Sequence, residues 1–344
     1  MKIAIHNLPN KDRFSSYWVK YCEDNNIPYK IVNCFDSDII SQIEDCSALM
    51  FHFFLGAQDK MLFARQLLYS VENSGKKVFP NFRTMWHYDD KVGQKYLLES
   101  INAPLVPTYA FFQKEKALQW AESTSYPKVF KLRNGASSSN VKLVKDKDKA
   151  VSLIDKAFGT GFSHKGSPWP HLKERIRKYK LDNSKLGGVK AAIKRIFYVP
   201  PSERKYGTEK GYAYFQDFIP ENGFDIRVIV IDQKAFGIKR MVREKDFRAS
   251  GSGMIKYEKE NFDPETIGLA FELADRLQSQ SVAFDFIYFN GTPLVVEISY
   301  CFTSLGVYEK CEGFWDRELN WHVGSFNPYG WMVDTLLKEM NQER

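Results

Sequence analysis

Cysteine is scarce and badly placed for cross-linking. The chain has five, at Cys22, Cys34, Cys46, Cys301 and Cys311, an odd number with no Cys-x-x-Cys spacing. That argues against a disulfide framework and against a zinc site, and points to a reducing, cytoplasmic setting. No apolar run approaches the roughly 18 residues that a membrane span needs. The first residues, Met1-Lys2-Ile3-Ala4-Ile5-His6-Asn7-Leu8-Pro9, read as a short strand without the apolar core of a signal peptide. A Gly-Lys-Ser/Thr phosphate loop is missing, as are a Ser-His-Asp or Cys-His arrangement and any recognised nucleic-acid motif. Charge of one sign is concentrated in a single place. Between His164 and Lys210 stand thirteen Lys/Arg against four Asp/Glu, a surplus of nine that exceeds the +7 of the whole chain. The remainder is therefore net acidic.

What is present suits a multi-lobed enzyme, since 344 residues with 44% hydrophobic content can bury two or three cores. Over residues 1–85 the pattern alternates. Lys2–Ile5, Tyr29–Cys34, Ala48–Phe54 and Lys77–Phe79 are strand candidates; Phe14–Asp24 and Lys60–Glu72 are helix candidates. Strands separated by helices predict a parallel sheet covered on both faces, with binding residues at the carboxyl ends of the strands. His6, Asn7, His52 and Phe53 fall near those ends, either as a substrate wall or as ordinary packing, with packing favoured.

Three further segments carry chemistry. Phe284-Asp285-Phe286-Ile287 and Leu294-Val295-Val296-Glu297-Ile298-Ser299 are apolar strands joined by Asn290-Gly291, a tight-hairpin signal. Alternation places Glu297 and Ser299 on one face, and the hairpin brings Asp285 alongside. Two carboxylates held together repel, so a proton or a cation must sit between them, and Mg²⁺ is commonly held by such a pair together with substrate phosphates. Upstream, Lys128-Val129-Phe130-Lys131 precedes Asn134-Gly135-Ala136-Ser137-Ser138-Ser139-Asn140, a strand with a costly buried lysine and then a small-residue loop suited to phosphate oxygens. Between these lie Tyr214-Phe215-Gln216-Asp217-Phe218-Ile219, Phe224-Asp225-Ile226-Arg227, Ile238-Lys239-Arg240 and Asp246-Phe247-Arg248.

In order and spacing, from about Asp89 to Ser299, these motifs resemble the ATP-grasp family, and within it the ribosomal-protein glutamate ligase branch of carboxylate–amine ligases. The resemblance implies ATP with Mg²⁺, or Mn²⁺ in its place. It implies that Lys91 and Lys131 reach the nucleotide phosphates, that Gly135, Ser137, Ser138 and Ser139 cover them, and that Gln216, Asp217, Phe218 and Ile219 form the hinge that meets adenine, largely through backbone groups. It further implies a ribose contact at Asp225 and metal carboxylates at Asp285 and Glu297. Arg240, Arg227 and Arg248 are implied to stabilise the transferring phosphoryl group and the incoming acid. Ser299 stands where the family has asparagine, and a hydroxyl can still offer the metal a neutral oxygen, though it reaches less far.

The implied fold class is α/β (α+β), an ATP-grasp fold. An N-terminal parallel-sheet domain over 1–85 precedes a central lobe over 86–212 and a C-terminal lobe over 213–344, with the nucleotide cleft between the two α+β lobes. The implied reaction joins a small-molecule or saccharide-linked carboxylate to an amine through an acyl phosphate. The alternatives are an ATP-grasp kinase and a nucleotide-binding protein without turnover. The central lobe carries the basic insertion over 159–210, in which Pro170–Lys180 and Lys185–Phe197 read as helices. It serves either as a solvated lid or as a docking surface for an anionic or phospholipid-linked acceptor. The tail from Tyr308 to Trp331, with Phe314, Trp315, Trp321, His322, Phe326 and Tyr329, either shapes an acceptor pocket or packs on the last helix. His87 reads as structural or as a surface imidazole. A homo-oligomer is compatible with all of this, and nucleic acid is not an expected partner.

Overall fold

A computed structural model describes residues 1–6, 14–53, 58–134, 141–163, 208–243, 248–249, 252–302 and 306–342. Three sheets organise them. The first contains β1 (Ile3–His6), β2 (Tyr29–Val32), β3 (Ala48–Met50) and β4 (Lys77–Phe79), all parallel, in the order β2-β1-β3-β4. The chain between these strands forms α1 (Phe14–Asp24), α2 (Ile39–Gln42) and α3 (Gln58–Asn73). The alternation therefore gives the parallel sheet its periodicity predicts; α2, a single turn, had no periodic signal. Two more helices, α4 (Phe82–Met85) and α5 (Lys91–Ser100), lead out of this unit.

The second sheet is antiparallel. It holds β5 (Thr108–Phe111), β6 (Lys128–Lys131), β7 (Val141–Val144) and β10 (Ala213–Asp217) in the order β5-β10-β6-β7. Helices α6 (Lys114–Ser123) and α7 (Lys147–Phe158) cover one face, where Ala117, Ala121, Phe130, Leu153, Ile154 and Phe215 form its core. The basic insertion leaves and returns through a two-stranded stem, β8 (Phe162–Ser163) on β9 (Thr208–Glu209). Its expected helices at Pro170–Lys180 and Lys185–Phe197 lie outside the described residues.

The third sheet is the largest. Strands β11 (Phe224–Ile231), β12 (Lys234–Met241), β13 (Ile255–Lys256), β14 (Ser281–Phe289), β15 (Thr292–Ser299), β16 (Gly313–Asp316) and β17 (Trp321–Val323) run β15-β14-β11-β12-β16-β17, with β13 on β12. Helices α8 (Pro264–Leu277) and α9 (Pro328–Asn341) complete the unit. Asn290 and Gly291 join β14 to β15 with φ of 50° and 81°, the left-handed pair that a two-residue hairpin turn requires.

Alternation sorts the side chains of this sheet. Ile226, Val228, Val230, Val282, Phe284 and Phe286 pack under α8. Ile229, Ile231, Phe236, Ile238 and Ala283 face the other way and join one core with Ile3, Ile5, Trp18 and Leu336. The N-terminal sheet and the third sheet thus share a core, while the second sheet has its own.

The chain divides by packing differently from the expected boundaries. Strand β10 belongs to the second sheet, so the sheets part after Asp217 rather than at 212. Helix α5 buries Leu98 in the core of the third sheet, and Val106 N donates to Val295 O at 3.0 Å, so residues 91–106 also pack with the last lobe. In the aromatic tail Trp331 stacks on Phe326 at 5.1 Å and meets Phe314 at 5.0 Å, beside Phe236. No described helix is long and apolar enough to cross a membrane.

A shared core should open as one unit. Phe236→Ala, which empties the space of a fully buried ring, is expected to cost about 3–5 kcal/mol by urea denaturation. In hydrogen exchange β1 and β11 should lose protection together. Loss confined to β11 would contradict the shared core.

Candidate functional site

The site lies where the second and third sheets turn faces toward each other. On the second sheet, strand alternation puts Phe130 and Phe215 into the core beneath α6 and α7, so Lys131 and Gln216 point the opposite way. On the third, the apolar face shared with the N-terminal sheet gives way to Asp225, Arg227, Arg240, Asp285 and Glu297.

Sheet register builds the pairs directly. Arg240 on β12 is opposite Asp225 on β11, Arg227 on β11 is opposite Asp285 on β14, and Asp285 is opposite Glu297 on β15. Arg227 grips Asp285 with two bonds, Nε to Oδ1 at 2.6 Å and Nη2 to Oδ2 at 2.7 Å. Arg240 grips Asp225 in the same way, at 2.5 and 2.9 Å, and its Nη2 also reaches Asp285 Oδ1 at 2.9 Å. The fork of a guanidinium matches a carboxylate in this bidentate geometry.

The facing of Asp285 and Glu297 depends on a feature that alternation alone does not supply. From the turn, Phe289 pairs with Thr292 and Phe286 with Val295, so regular pairing would put Val296 opposite Asp285 and send Glu297 to the far face. Instead the register shifts between Asp285 and Phe286, and Val296 is the extra residue of a β-bulge. The bulge turns Glu297 to the same face as Asp285. The Val296 carbonyl accepts from Gln216 Nε2 at 3.4 Å.

Lysines approach from the other side. Lys91, the first residue of α5, is 5% exposed and lies 3.1 Å from Glu297 Oε1. Burial opposes its charge, but Glu297 and Asp89 outweigh burial and raise its pKa. The helix start is fixed by Asp90, which caps Gly93 N at 2.9 Å and pairs with Arg133 at 2.5 Å. Lys131 is 6% exposed and donates to the neutral Gln216 Oε1 at 2.5 Å. Burial pushes its pKa down to about 8, despite help from Glu297, and the neighbouring Lys91 lowers it further. Asp285 is also buried, yet Arg227 and Arg240 hold it well below the usual carboxylate range. Burial pushes Asp225 up to about 6 against the pull of Arg240.

Most of the expected site residues therefore converge, with changes of partner. Asp225, expected at the ribose, has both oxygens on Arg240, because register places the two side by side. Asp217 faces away from the cleft and pairs with the buried Lys128 at 2.6 Å. Phe218 and Ile219 follow β10 as half-buried residues. Ser299 is half-buried, and its hydroxyl accepts from Cys301 N at 3.4 Å. Arg248 is half-buried on the segment after β12. Gly135, Ser137, Ser138 and Ser139 lie outside the described residues, as does Asn7.

Other expectations resolve into packing. His6 Nδ1 accepts from Cys34 N at 3.0 Å, His52 stacks on Phe14 at 4.0 Å, and Phe53 N donates to Tyr300 OH at 2.9 Å. His87 is fully buried with neither ring nitrogen hydrogen-bonded, and burial drives its pKa down to about 4. It is a neutral core residue rather than a surface imidazole. All five cysteines are free and buried. Sequence reasoning did not single out Arg133 or Thr108, although Arg133 stands two residues after Lys131 on the same strand exit, a usable signal. Tyr308, the first residue of the aromatic tail, hydrogen-bonds Arg227.

Among the described residues no three His, Cys, Asp or Glu side chains group to hold a metal ion. Asp285 and Glu297 form a pair, with Ser299 next along the same face. A pair of carboxylates beside buried lysines fits Mg²⁺ carried on phosphate oxygens, and does not fit an ion caged by protein alone.

Residues 207–310 match the family model described as a RimK-like ATP-grasp domain. Solved structures resemble the chain over nearly its whole length. A RimK domain ATP-grasp protein from Sphaerobacter thermophilus DSM 20745 is 15% identical with a TM-score of 0.55, covering 98% of this chain and 100% of that one. The D-alanine–D-alanine ligase of Bacillus anthracis complexed with ATP is 14% identical with a TM-score of 0.57, covering 100% and 99%. A biotin carboxylase from Campylobacter jejuni in a β-γ-ATP complex is 13% identical with a TM-score of 0.58, covering 97% and 70%. No curated protein matches the chain. At these identities the likeness is one of fold, and the fold is ATP-grasp.

Lys131 gives this site a pH signature. Its folded pKa, about 8, lies below its unfolded value of 10.5. Between those values the unfolded chain binds more protons, so stability should rise with pH across that window, by up to about 3 kcal/mol. The difference between wild type and Lys131→Met in urea midpoints from pH 7 to 10.5 checks this. Parallel profiles would contradict a buried, charged Lys131.

Proposed function

We propose that this ATP-grasp protein is an ATP- and Mg²⁺-dependent carboxylate–amine ligase that works through an acyl phosphate. The observation that carries the reading is the charge balance of the cleft. Lys91, Arg227 and Arg240 each have a carboxylate, whereas the described partner of the buried Lys131 is a neutral amide oxygen. A buried cation without an anion is costly, and the polyphosphate of a nucleotide supplies one. The likeness in fold to a ligase solved with ATP supports the same assignment.

In this reading Lys91 and Lys131 orient the β- and γ-phosphates. Asp285 and Glu297, with Ser299 beside them, would hold Mg²⁺, which would supply neutralisation of the triphosphate charge; Mn²⁺ would serve in the same way. As phosphate oxygens arrive, Arg227 and Arg240 gain a second set of acceptors and Asp285 is released from them in part. A carboxylate oxygen of the acid then attacks the γ-phosphorus, and ADP departs. The amine next attacks the acyl carbon of the acyl phosphate, phosphate leaves, and the amine gives up a proton. Such chemistry asks the protein for positioning and charge neutralisation more than for covalent help. Arg227, steadied by Tyr308, and Arg240, steadied by Asp225, are placed for that, with Arg248 as a further candidate. The adenine hinge at Phe218 and Ile219, the covering loop at 135–139 and docking at the basic insertion belong to the same proposal.

Glu297→Gln is expected to lower Mg²⁺-dependent ATP turnover by on the order of a hundredfold or more. Both this change and Asp285→Asn unpair a buried cation, Lys91 in the first case and Arg227 in the second while Arg240 keeps Asp225, and each should cost about 3 kcal/mol of stability. Ser299→Asn should lower the Mg²⁺ concentration for half-maximal rate. With the correct acid, Mg-ATP and hydroxylamine in place of the amine, ADP release should accompany hydroxamate formation. A stable phosphorylated product with no hydroxamate would contradict the ligase reading and favour a kinase.

A further inference from the structure

We infer that Gln216 is a positioning residue that ties the Lys131 ammonium of the second sheet to the bulged strand of the third, and that its side chain does not read the nucleotide base. The inference rests on the ATP reading above and specifies how that site is held in shape.

Gln216 is 3% exposed, and both ends of its amide are committed. Oε1 accepts from Lys131 Nζ at 2.5 Å, and Nε2 donates to Thr108 Oγ1 at 3.1 Å and to Val296 O at 3.4 Å. The orientation is forced from both sides. A lysine ammonium can only donate, so the amide oxygen must face it. The Thr108 hydroxyl donates to Val106 O at 2.7 Å, so its oxygen is left to accept from the amide nitrogen. Neither contact survives a flip of the amide.

The reach of this side chain matters because of where it ends. Val296 is the extra residue of the bulge, its carbonyl accepts the Gln216 amide, and Glu297 is the next residue. One amide therefore spans from the buried ammonium to the strand that carries a candidate metal carboxylate. The distance between Lys131 and Glu297 is set by this bridge before any ligand arrives. A neutral side chain is the suitable one, because it holds the ammonium without cancelling the charge that phosphate would meet. A glutamate here would hold the lysine more tightly and compete with the nucleotide. A side chain with both N–H groups engaged has no donor left for a base edge.

The role predicts that binding losses follow phosphate and not base. Dissociation constants for ATP, inorganic tripolyphosphate and adenosine, with Mg²⁺ present, are to be measured by calorimetry on the full chain and on Gln216→Glu. Loss of one charge-assisted bond corresponds to about tenfold or more, expected for ATP and for tripolyphosphate, while adenosine stays within about twofold. Thr108→Val, which removes the acceptor that orients the amide, should show the same pattern with a smaller loss and keeps the test open if Gln216→Glu does not fold. Equal losses for adenosine and ATP would overturn the positioning role, and so would unchanged tripolyphosphate binding. A wild-type protein that binds neither ATP nor tripolyphosphate would instead overturn the nucleotide reading itself, and the inference with it.

Discussion

A buried charge must find an opposite charge or be lost, and the cleft of this protein satisfies that rule for all but one of its central cations. Among the described residues, Arg227–Asp285, Arg240–Asp225 and Arg240–Asp285 pair across the strands of the third sheet, and Lys91 reaches Glu297 from α5. Lys131 comes from the second sheet and meets an amide. The imbalance is local and lies where two sheets with separate packing face each other. It is the ground on which we propose an anion receptor here, since the cost of desolvating the lysine is already met in the fold. Arg227, Arg240 and their carboxylates form the adjoining network, in which each charge has a partner to exchange when phosphate arrives.

The positions of these groups follow from packing further away. The N-terminal sheet shares a core with one face of the third sheet, so the arginine-bearing strands and the N-terminal unit behave as one body. Lys131 rides on the other body, held by α6 and α7. Among the described residues the seam is crossed by the Gln216 amide on Val296, the Lys91 backbone N–H on Arg133 O at 3.0 Å and the Arg133–Asp90 ion pair at 2.5 Å. A cleft built in this way can adjust around a ligand without disturbing either core.

Much of this was legible in the chain. The period of residues 1–85 gave the parallel sheet, and the Asn290-Gly291 turn gave the hairpin. The ordered lysine, arginine and carboxylate motifs gave the fold class and named residues that the fold brings together. What was not legible was geometry that depends on a single residue of register. Nothing in Leu294-Val295-Val296 announces a bulge, yet without it Glu297 would face away from Asp285. Asp225 and Gln216 were expected at the nucleotide because their motif suggested it, while their partners are set by strand pairing, Arg240 across the two-residue turn between β11 and β12 and Lys131 from 85 residues away in the chain. Domain limits were misjudged because sequence order does not reveal that β10 returns to the second sheet or that α5 packs on the third.

The central claim is that an incoming triphosphate completes the charge of Lys131, and proton uptake on ligand binding tests it most directly. With a pKa of about 8, Lys131 is largely neutral at pH 9 in the free protein and should be charged beside phosphate. Calorimetry of ATP binding at pH 9, in buffers of different ionisation enthalpy, should therefore show an uptake of about one proton that is missing in Lys131→Met. The same uptake in both proteins would contradict the account.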